Sequence, residues 1–162
     1  MTMAHFAARF ENNKCIVHSD STILGVIEFE NKTRVVASLI LDNIIFRAHP
    51  ASANDKNIVI TTNDTILLKF KFDYLWGGAT LFVDDESTGY KVTGKAFKPG
   101  SRLVDADGND LIVVTNASNW SESQGLNIEV IDPQVTPFLI LATVYYHIYT
   151  STANLYNFVG IA

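Results

Sequence analysis

VTPFLILATVYYHIY, from Val135 to Tyr149, contains no formally charged residue, and none occurs anywhere from Pro133 to Ala162. Thr136 is placed to act as an N-cap, its hydroxyl available to the first free amides of a helix. Pro137 suits the first turn, where its missing N–H costs nothing. From Phe138 to Tyr149 the side chains are apolar nearly all round a helical wheel, and a helix apolar on every face has to be enclosed on every face. The β-branched residues Thr143, Val144 and Ile148 would also suit a long strand. The length of the segment and its leading Thr-Pro pair favour a helix over about 137–150. A membrane span would be another enclosure, but it needs roughly 20 apolar residues and usually basic flanks. This segment is shorter, contains His147 and has no Lys or Arg beside it. A helix buried in protein is the expectation, with Asn154 ending it.

Upstream the pattern changes to short strands. Candidates are Ala4–Phe10, Lys14–His18, Thr22–Phe29, Arg34–Leu41, Asn43–Ala48, Asn57–Thr62, Thr65–Phe72, Ala79–Val83, Gly89–Lys95, Ser101–Asp105, Asp110–Thr115 and Gly125–Ile131. They are rich in Val, Ile, Phe, Thr and Tyr and are bounded by turn residues. Alternation sets Ile66, Leu68, Phe70 and Phe72 on one face and Lys69 and Lys71 on the other, because successive strand side chains point oppositely. Asn12-Asn13, Asn31-Lys32, Asn63-Asp64, Asp84–Thr88 and Asp107-Gly108-Asn109 supply residues that tolerate the positive φ of tight hairpins. Pro50–Lys56 and Asn116–Gln124 are the longest connections. No linker and no convincing internal repeat is visible.

Strands that are short, numerous and evenly spaced suggest a meander that closes on itself and so removes its edges. The expected fold is mainly β: a closed antiparallel barrel of about 12 strands around a central C-terminal hydrophobic helix, one domain over 1–162. Leu155–Gly160 would return as a last strand or cap the barrel mouth.

Length and composition agree with one packed core: 162 residues, 48% hydrophobic and 18% charged. Lys and Arg total 12 against 17 Asp and Glu, a net charge of −5, which argues against a nucleic-acid binder. The single cysteine, Cys15, excludes a disulfide framework and a CxxC redox pair; in an apolar strand it reads as a small core residue. The start of the chain has no secretory-signal pattern, which makes the cytoplasm the default compartment.

This order of elements, many short strands and then one uncharged helix, resembles the tubby C-terminal-like superfamily, which includes the tubby domains, the scramblases and the LURP-one-related proteins. Gly89-Tyr90-Lys91-Val92-Thr93-Gly94-Lys95 is similar to the Y-x-V-x-G-K strand of LURP-one-like and bacterial relatives. Arg102-Leu103-Val104-Asp105-Ala106-Asp107-Gly108-Asn109 resembles their D-x-x-G-N hairpin. The order of elements covers nearly the whole chain and the motif likeness about thirty residues; nothing before Gly78 carries a family motif. The resemblance implies a small microbial relative with a barrel sheathing its helix. It also implies phosphoinositide-type binding through surface Lys and Arg, although no tubby phosphate ligand maps onto a position here.

The candidate ligand-binding residues are Lys91, Lys95, Lys98 and Arg102, with no acid among them. Alternation puts Lys91 and Lys95 on one strand face, and Lys98 and Arg102 extend the patch through a Pro99-Gly100 turn. Clustered ammonium and guanidinium groups pair with phosphate, though lysines on a solvated strand also discourage edge pairing. Asp105, Asp107 and Asp110 resemble the start of a calcium loop, but the twelfth position is Asn116 rather than Glu, and strands flank it. Asp84, Asp85 and Glu86 read as a solvated hairpin tip. His5, His18, His49 and His147 share no metal-ligand spacing, and no Gly-x-Ser-x-Gly elbow or P-loop is present. His147, inside the helix, is expected to bond a neighbouring hydroxyl. No catalytic residue, metal site or cofactor is expected.

The expected function is a non-enzymatic binding module for anionic phospholipid or a phosphorylated ligand at the barrel surface. The alternative is a structural or protein-interaction domain using exposed aromatics, among them Trp76, Trp120, Phe97 and Tyr74, with Trp120 as the partner-binding candidate. A lipocalin-like carrier would need an open lumen, which the helix would fill.

Overall fold

The structure is a computed structural model that describes residues 4–53, 55–75, 77–95, 98–117 and 125–153. Twelve strands precede one helix: β1 (Ala4–Glu11), β2 (Lys14–Ser19), β3 (Thr22–Phe29), β4 (Ala37–Leu41), β5 (Ile44–Pro50), β6 (Ile58–Thr62), β7 (Thr65–Phe72), β8 (Ala79–Val83), β9 (Glu86–Lys95), β10 (Lys98–Val104), β11 (Asp110–Asn116), β12 (Leu126–Val130) and α1 (Pro137–Ala153). Each strand pairs antiparallel with the next, and β1 closes the ring on β12 through Ala4↔Val130 to Ala8↔Leu126. The barrel and its C-terminal helix are therefore as expected. Trp76, Phe97, Trp120, Asn154 and the return over Leu155–Gly160 lie outside the described residues.

The helix begins as its sequence dictates. The Thr136 hydroxyl accepts the Leu139 amide at 3.2 Å, and the Thr136 carbonyl accepts Ile140 N–H at 3.1 Å. Every residue from Ile140 to Thr150 is buried. Around it stand the inward side chains of the strands, among them Val17, Ile27, Leu39, Ile60, Phe70, Leu103, Ile112 and Val114. Phe70 stacks on Tyr146 with ring centroids 4.5 Å apart, and Phe138 meets Phe46 at 4.8 Å. The lumen is filled, which rules out an open-lumen carrier.

Four details differ from the sequence expectations. The fourth strand begins at Ala37 rather than Arg34, because Arg34 takes a left-handed backbone (φ 56) in a loop closed by Glu30 N–H donating to the Val36 carbonyl at 3.0 Å. Pro99 and Gly100 do not form a turn but belong to β10, where Gly100 has φ 88 and a Cβ would sit 2.1 Å from the Val114 carbonyl oxygen. The turn expected over Asp84–Thr88 is only Asp84-Asp85, both at positive φ, and β9 already starts at Glu86. Ile66 does not join Leu68, Phe70 and Phe72 inside. The register passes from Ile60↔Leu68 to Thr61↔Ile66, so Leu67 is an extra residue that reverses the parity and leaves Ile66 54% exposed.

That bulge recurs, and with it a repeat that the sequence reading did not find. In the β2–β3 hairpin the register passes from Val17↔Gly25 to His18↔Ile23, skipping Leu24. In β10–β11 it passes from Leu103↔Ile112 to Val104↔Asp110, skipping Leu111. The bulged leucines thus fall on β3, β7 and β11, every fourth strand of the ring. The first two hairpins also share their wording, Thr22-Ile23-Leu24 through Phe29 against Thr65-Ile66-Leu67 through Phe72. Their far ends are held alike. Asn13 donates its side-chain amide to the Phe29 carbonyl at 2.9 Å, and the Asn57 side-chain oxygen accepts Phe72 N–H at 2.8 Å.

The position that follows each bulged leucine is Gly25, Leu68 or Ile112. Gly25 breaks the series because the helix approaches there: an added Cβ would stand 2.5 Å from Leu141 Cδ1 and 2.9 Å from the Ile40 carbonyl oxygen. Gly25→Ala is expected to cost about 1–3 kcal/mol through overpacking, read as a lower urea midpoint with unchanged m-value.

Candidate functional site

An up-and-down barrel sends alternate connections to opposite ends. At the end where the helix enters, the tips are Asp20-Ser21, Asp42-Asn43, Asn63-Asp64, Asp84-Asp85 and the turn Asp105–Asn109. Asp20, Asp42, Asp64, Asp84 and Asp85 all have positive φ, which explains Asp, Asn or Gly there and yields a rim of carboxylates. Asp105 is spent within its own turn. Its carboxylate accepts Asn109 N–H and Asp107 N–H, each at 2.9 Å, and these bonds hold it below the ordinary carboxylate range. The resemblance to a calcium loop is thereby explained as a hairpin tip.

The basic patch expected on β9 and β10 is only partly assembled. In the ladder, Lys91 stands opposite Thr80 and Val104, Thr93 opposite Arg102, and Lys95 opposite Lys98, with a register shift between Lys98 and Arg102. Lys91 is exposed, but four strand residues set it about 13 Å along β9 from Lys95. Arg102 is not available to a ligand in the expected way. Its Nη1 donates to Asp110 Oδ2 at 2.6 Å, and its side chain is 12% exposed. The acid that neutralises it comes from the neighbouring strand, too far along the sequence for a local charge count to reveal.

His147 does bond a hydroxyl, and more. Ser101 Oγ lies 2.7 Å from its Nδ1 and Asn116 Oδ1 lies 3.0 Å from its Nε2. One neutral tautomer satisfies both contacts, Nε2–H donating to Asn116 and Nδ1 accepting from Ser101. Burial lowers the imidazole pKa from its ordinary 6.5 to about 4. Ser, His and Asn in a row are the ingredients of a nucleophilic triad, but Ser101 is wholly enclosed and His147 nearly so. A substrate has no access to them, and the three instead tie α1 to β10 and β11. On the opposite flank Tyr145 donates its hydroxyl to the Val35 carbonyl, and burial raises its phenol pKa.

A further opening lies at the other end of the barrel, with little in the sequence to signal it. A cleft of about 610 Å³ between the β1–β2 turn and the β3–β4 loop is lined by Asn12, Asn13, Phe29, Asn31, Lys32 and Arg34. Arg34 carries its guanidinium carbon 4.9 Å above the Phe10 ring and 5.8 Å from that of Phe29. Around it Glu11 pairs with Arg9 at 2.7 Å, Glu28 with Lys14 at 3.5 Å, and Glu30 with Arg47. Among the described residues no carboxylate lines this cleft. Lys32, Arg34 and the side chains of Asn12, Asn13 and Asn31 give it a basic and polar lining, and Phe29 adds an apolar surface.

Comparison with known proteins adds no assignment: no family model, no curated protein and no solved structure matches the chain. Among the described residues no helix is long and apolar enough to cross a membrane, and no group of three or more His, Cys, Asp or Glu is placed to hold a metal ion.

The state of His147 makes a prediction about pH. The unfolded chain takes up this proton near pH 6.5, whereas the folded protein resists it until about pH 4. The histidine's contribution is therefore intact above pH 6.5, falls as the pH drops through that window, and is constant below it, about 3 kcal/mol in all. Urea unfolding from pH 7 to pH 4 should show a steeper loss for the native chain than for His147→Gln, and parallel curves would contradict this.

Proposed function

We propose that the chain is a non-enzymatic binding module for a small anionic ligand, phosphorylated or carboxylated, seated in the cleft of Lys32 and Arg34. Arg34 is the observation that carries this reading. A non-glycine residue with φ 56 adopts a costly backbone, and here that backbone brings a guanidinium over Phe10 at the wall of a cleft. Lys32 and Arg34 set two positive charges at one cleft, and ammonium and guanidinium groups pair with phosphate and carboxylate. Asn12, Asn13 and Asn31 supply neutral polar edges, and the volume falls in the range of small-molecule sites. The cleft takes precedence over Lys91, Lys95, Lys98 and Arg102 because it is a concave volume, whereas Lys91 and Lys95 are set about 13 Å apart along one strand and Arg102 pairs with Asp110. The enclosure of Ser101 and His147 supports binding rather than catalysis. We also propose kinship with the tubby-like superfamily, supported by twelve strands that close round a C-terminal helix.

Calorimetric titration with pyrophosphate, and flotation with phosphatidylserine vesicles, test the proposal and separate a free ligand from a lipid headgroup. Lys32→Gln combined with Arg34→Asn keeps a residue tolerant of the left-handed backbone and should weaken binding at least tenfold. No binding of the native chain to either probe would end the proposal. So would binding that survives this pair but is lost in Lys91→Gln, Lys95→Gln, Lys98→Gln, an outcome that would return the ligand to β9–β10.

A further inference from the structure

The ring closes where β1 meets β12, and the outer wall at this seam is hollow. A depression of about 470 Å³ lies across β11, β12, β1 and β2. Two cross-strand rows build it. In one, Thr115 stands opposite Asn127, Asn127 opposite Ala7 and Ala7 opposite His18. In the other, Val113 stands opposite Glu129 and Glu129 opposite His5. These side chains point outward, because their sequence neighbours Ala8, Val17, Val114, Ile128 and Val130 belong to the core. Ala7 opens the hollow by ending at a methyl among longer cross-strand neighbours. Asp20, the first residue past β2, also lines it.

We infer that this hollow binds a linear aliphatic diamine or polyamine, at a site separate from the anion cleft and opposite to it in charge. Among the described residues its lining holds two carboxylates and no Lys or Arg. Unlike Glu11, Glu28 and Glu30, neither Asp20 nor Glu129 has an ion pair or a side-chain hydrogen bond among the described residues. The two stand on either side of β1, two strand spacings or about 10 Å apart. Among the described residues no three imidazoles or carboxylates converge on one point, as a metal ion would require. Separated carboxylates suit a ligand that carries its positive charges apart. Each ammonium brings three N–H donors, one for a carboxylate and others for the oxygens of Thr115 and Asn127. The Ala7 methyl and the Val113 side chain give the intervening methylenes an apolar floor. His18 Nδ1 is enclosed without a hydrogen-bond partner. That cost is relieved once a half-turn of the ring brings the nitrogen to a ligand N–H. The volume is that of a small-molecule site.

Calorimetric titration of the full chain with putrescine tests this, with butylamine as the counterpart that carries a single charge. Putrescine should bind at least tenfold more tightly than butylamine. Glu129→Gln combined with Asp20→Asn, which keeps a residue tolerant of the positive φ at position 20, should remove that advantage. Ala7→Leu fills the hollow from the outer wall and leaves every charge in place; it should weaken putrescine at least tenfold. Should Ala7→Leu lower the urea midpoint, the carboxylate pair alone decides. Asp84→Asn, at a rim tip outside the hollow, and Lys32→Gln, in the anion cleft, should leave putrescine binding unchanged. No binding of putrescine, or equal affinity for the two amines, would overturn the inference. So would binding that survives either variant of the hollow, since the attraction would then come from the acidic rim at large.

Discussion

Enclosure of α1 is the constraint on which the rest of the structure depends. An eleven-residue stretch without an exposed side chain has no stable place in water, and each large side chain that leaves water contributes about 1.5–3 kcal/mol. The ring satisfies the helix and the helix satisfies the ring, because a twelve-stranded barrel is too wide to fill with its own side chains alone. Gly25 shows how tightly the two are matched: one strand gives up its side chain so that Leu141 can approach. The polar groups that must go inside are paired locally. Thr143 and Thr150 return their hydroxyls to helix carbonyls, and His147 reaches Ser101 and Asn116.

Electrostatics follow the same axis. The helix has no acid in its first turn and no base in its last, so its own sequence does nothing to offset its dipole. The ring does so only at the start of the helix, where carboxylate tips surround its first turn; the opposite end carries Lys32, Arg34 and Lys56 together with Glu30, Asp55 and Asp73. A net charge of −5 for the chain as a whole thus coexists with a cleft that is lined by Lys32 and Arg34 and, among the described residues, by no carboxylate. Net charge argued against a nucleic-acid partner but was a poor guide to the composition of the cleft.

Strand positions were legible where Thr, Ile and Phe alternate between Asp-bearing turns; Thr22–Phe29, Thr65–Phe72 and Ala79–Val83 coincide with the elements observed. The helix was legible because nothing else explains so long a stretch without charge. Parity within a strand was not. A bulge is one residue, leaves no Gly or Pro behind, and moved Ile66 to the opposite face. Arg34-Val35-Val36 looked like a strand because two β-branched residues follow a long side chain, and the left-handed turn at Arg34 has no Gly or Asn to mark it. That single misassignment hid the cleft. The partners of His147 and Arg102 were hidden for another reason, since they are supplied by the pairing of strands rather than by spacing along the chain.

Closure of β1 on β12 also fixes an order of events. A ribosome releases the chain from its amino end, so most strands emerge before the segment that is to fill them, and the first strand waits for the last. Contacts of such sequence separation form slowly. Until residues 137–153 arrive, the nascent sheet has an oily concave face and an unpaired strand at each margin, the very features that attract chaperones or lead to clumping. Synthesis of this molecule therefore passes through its most vulnerable state just before α1 emerges.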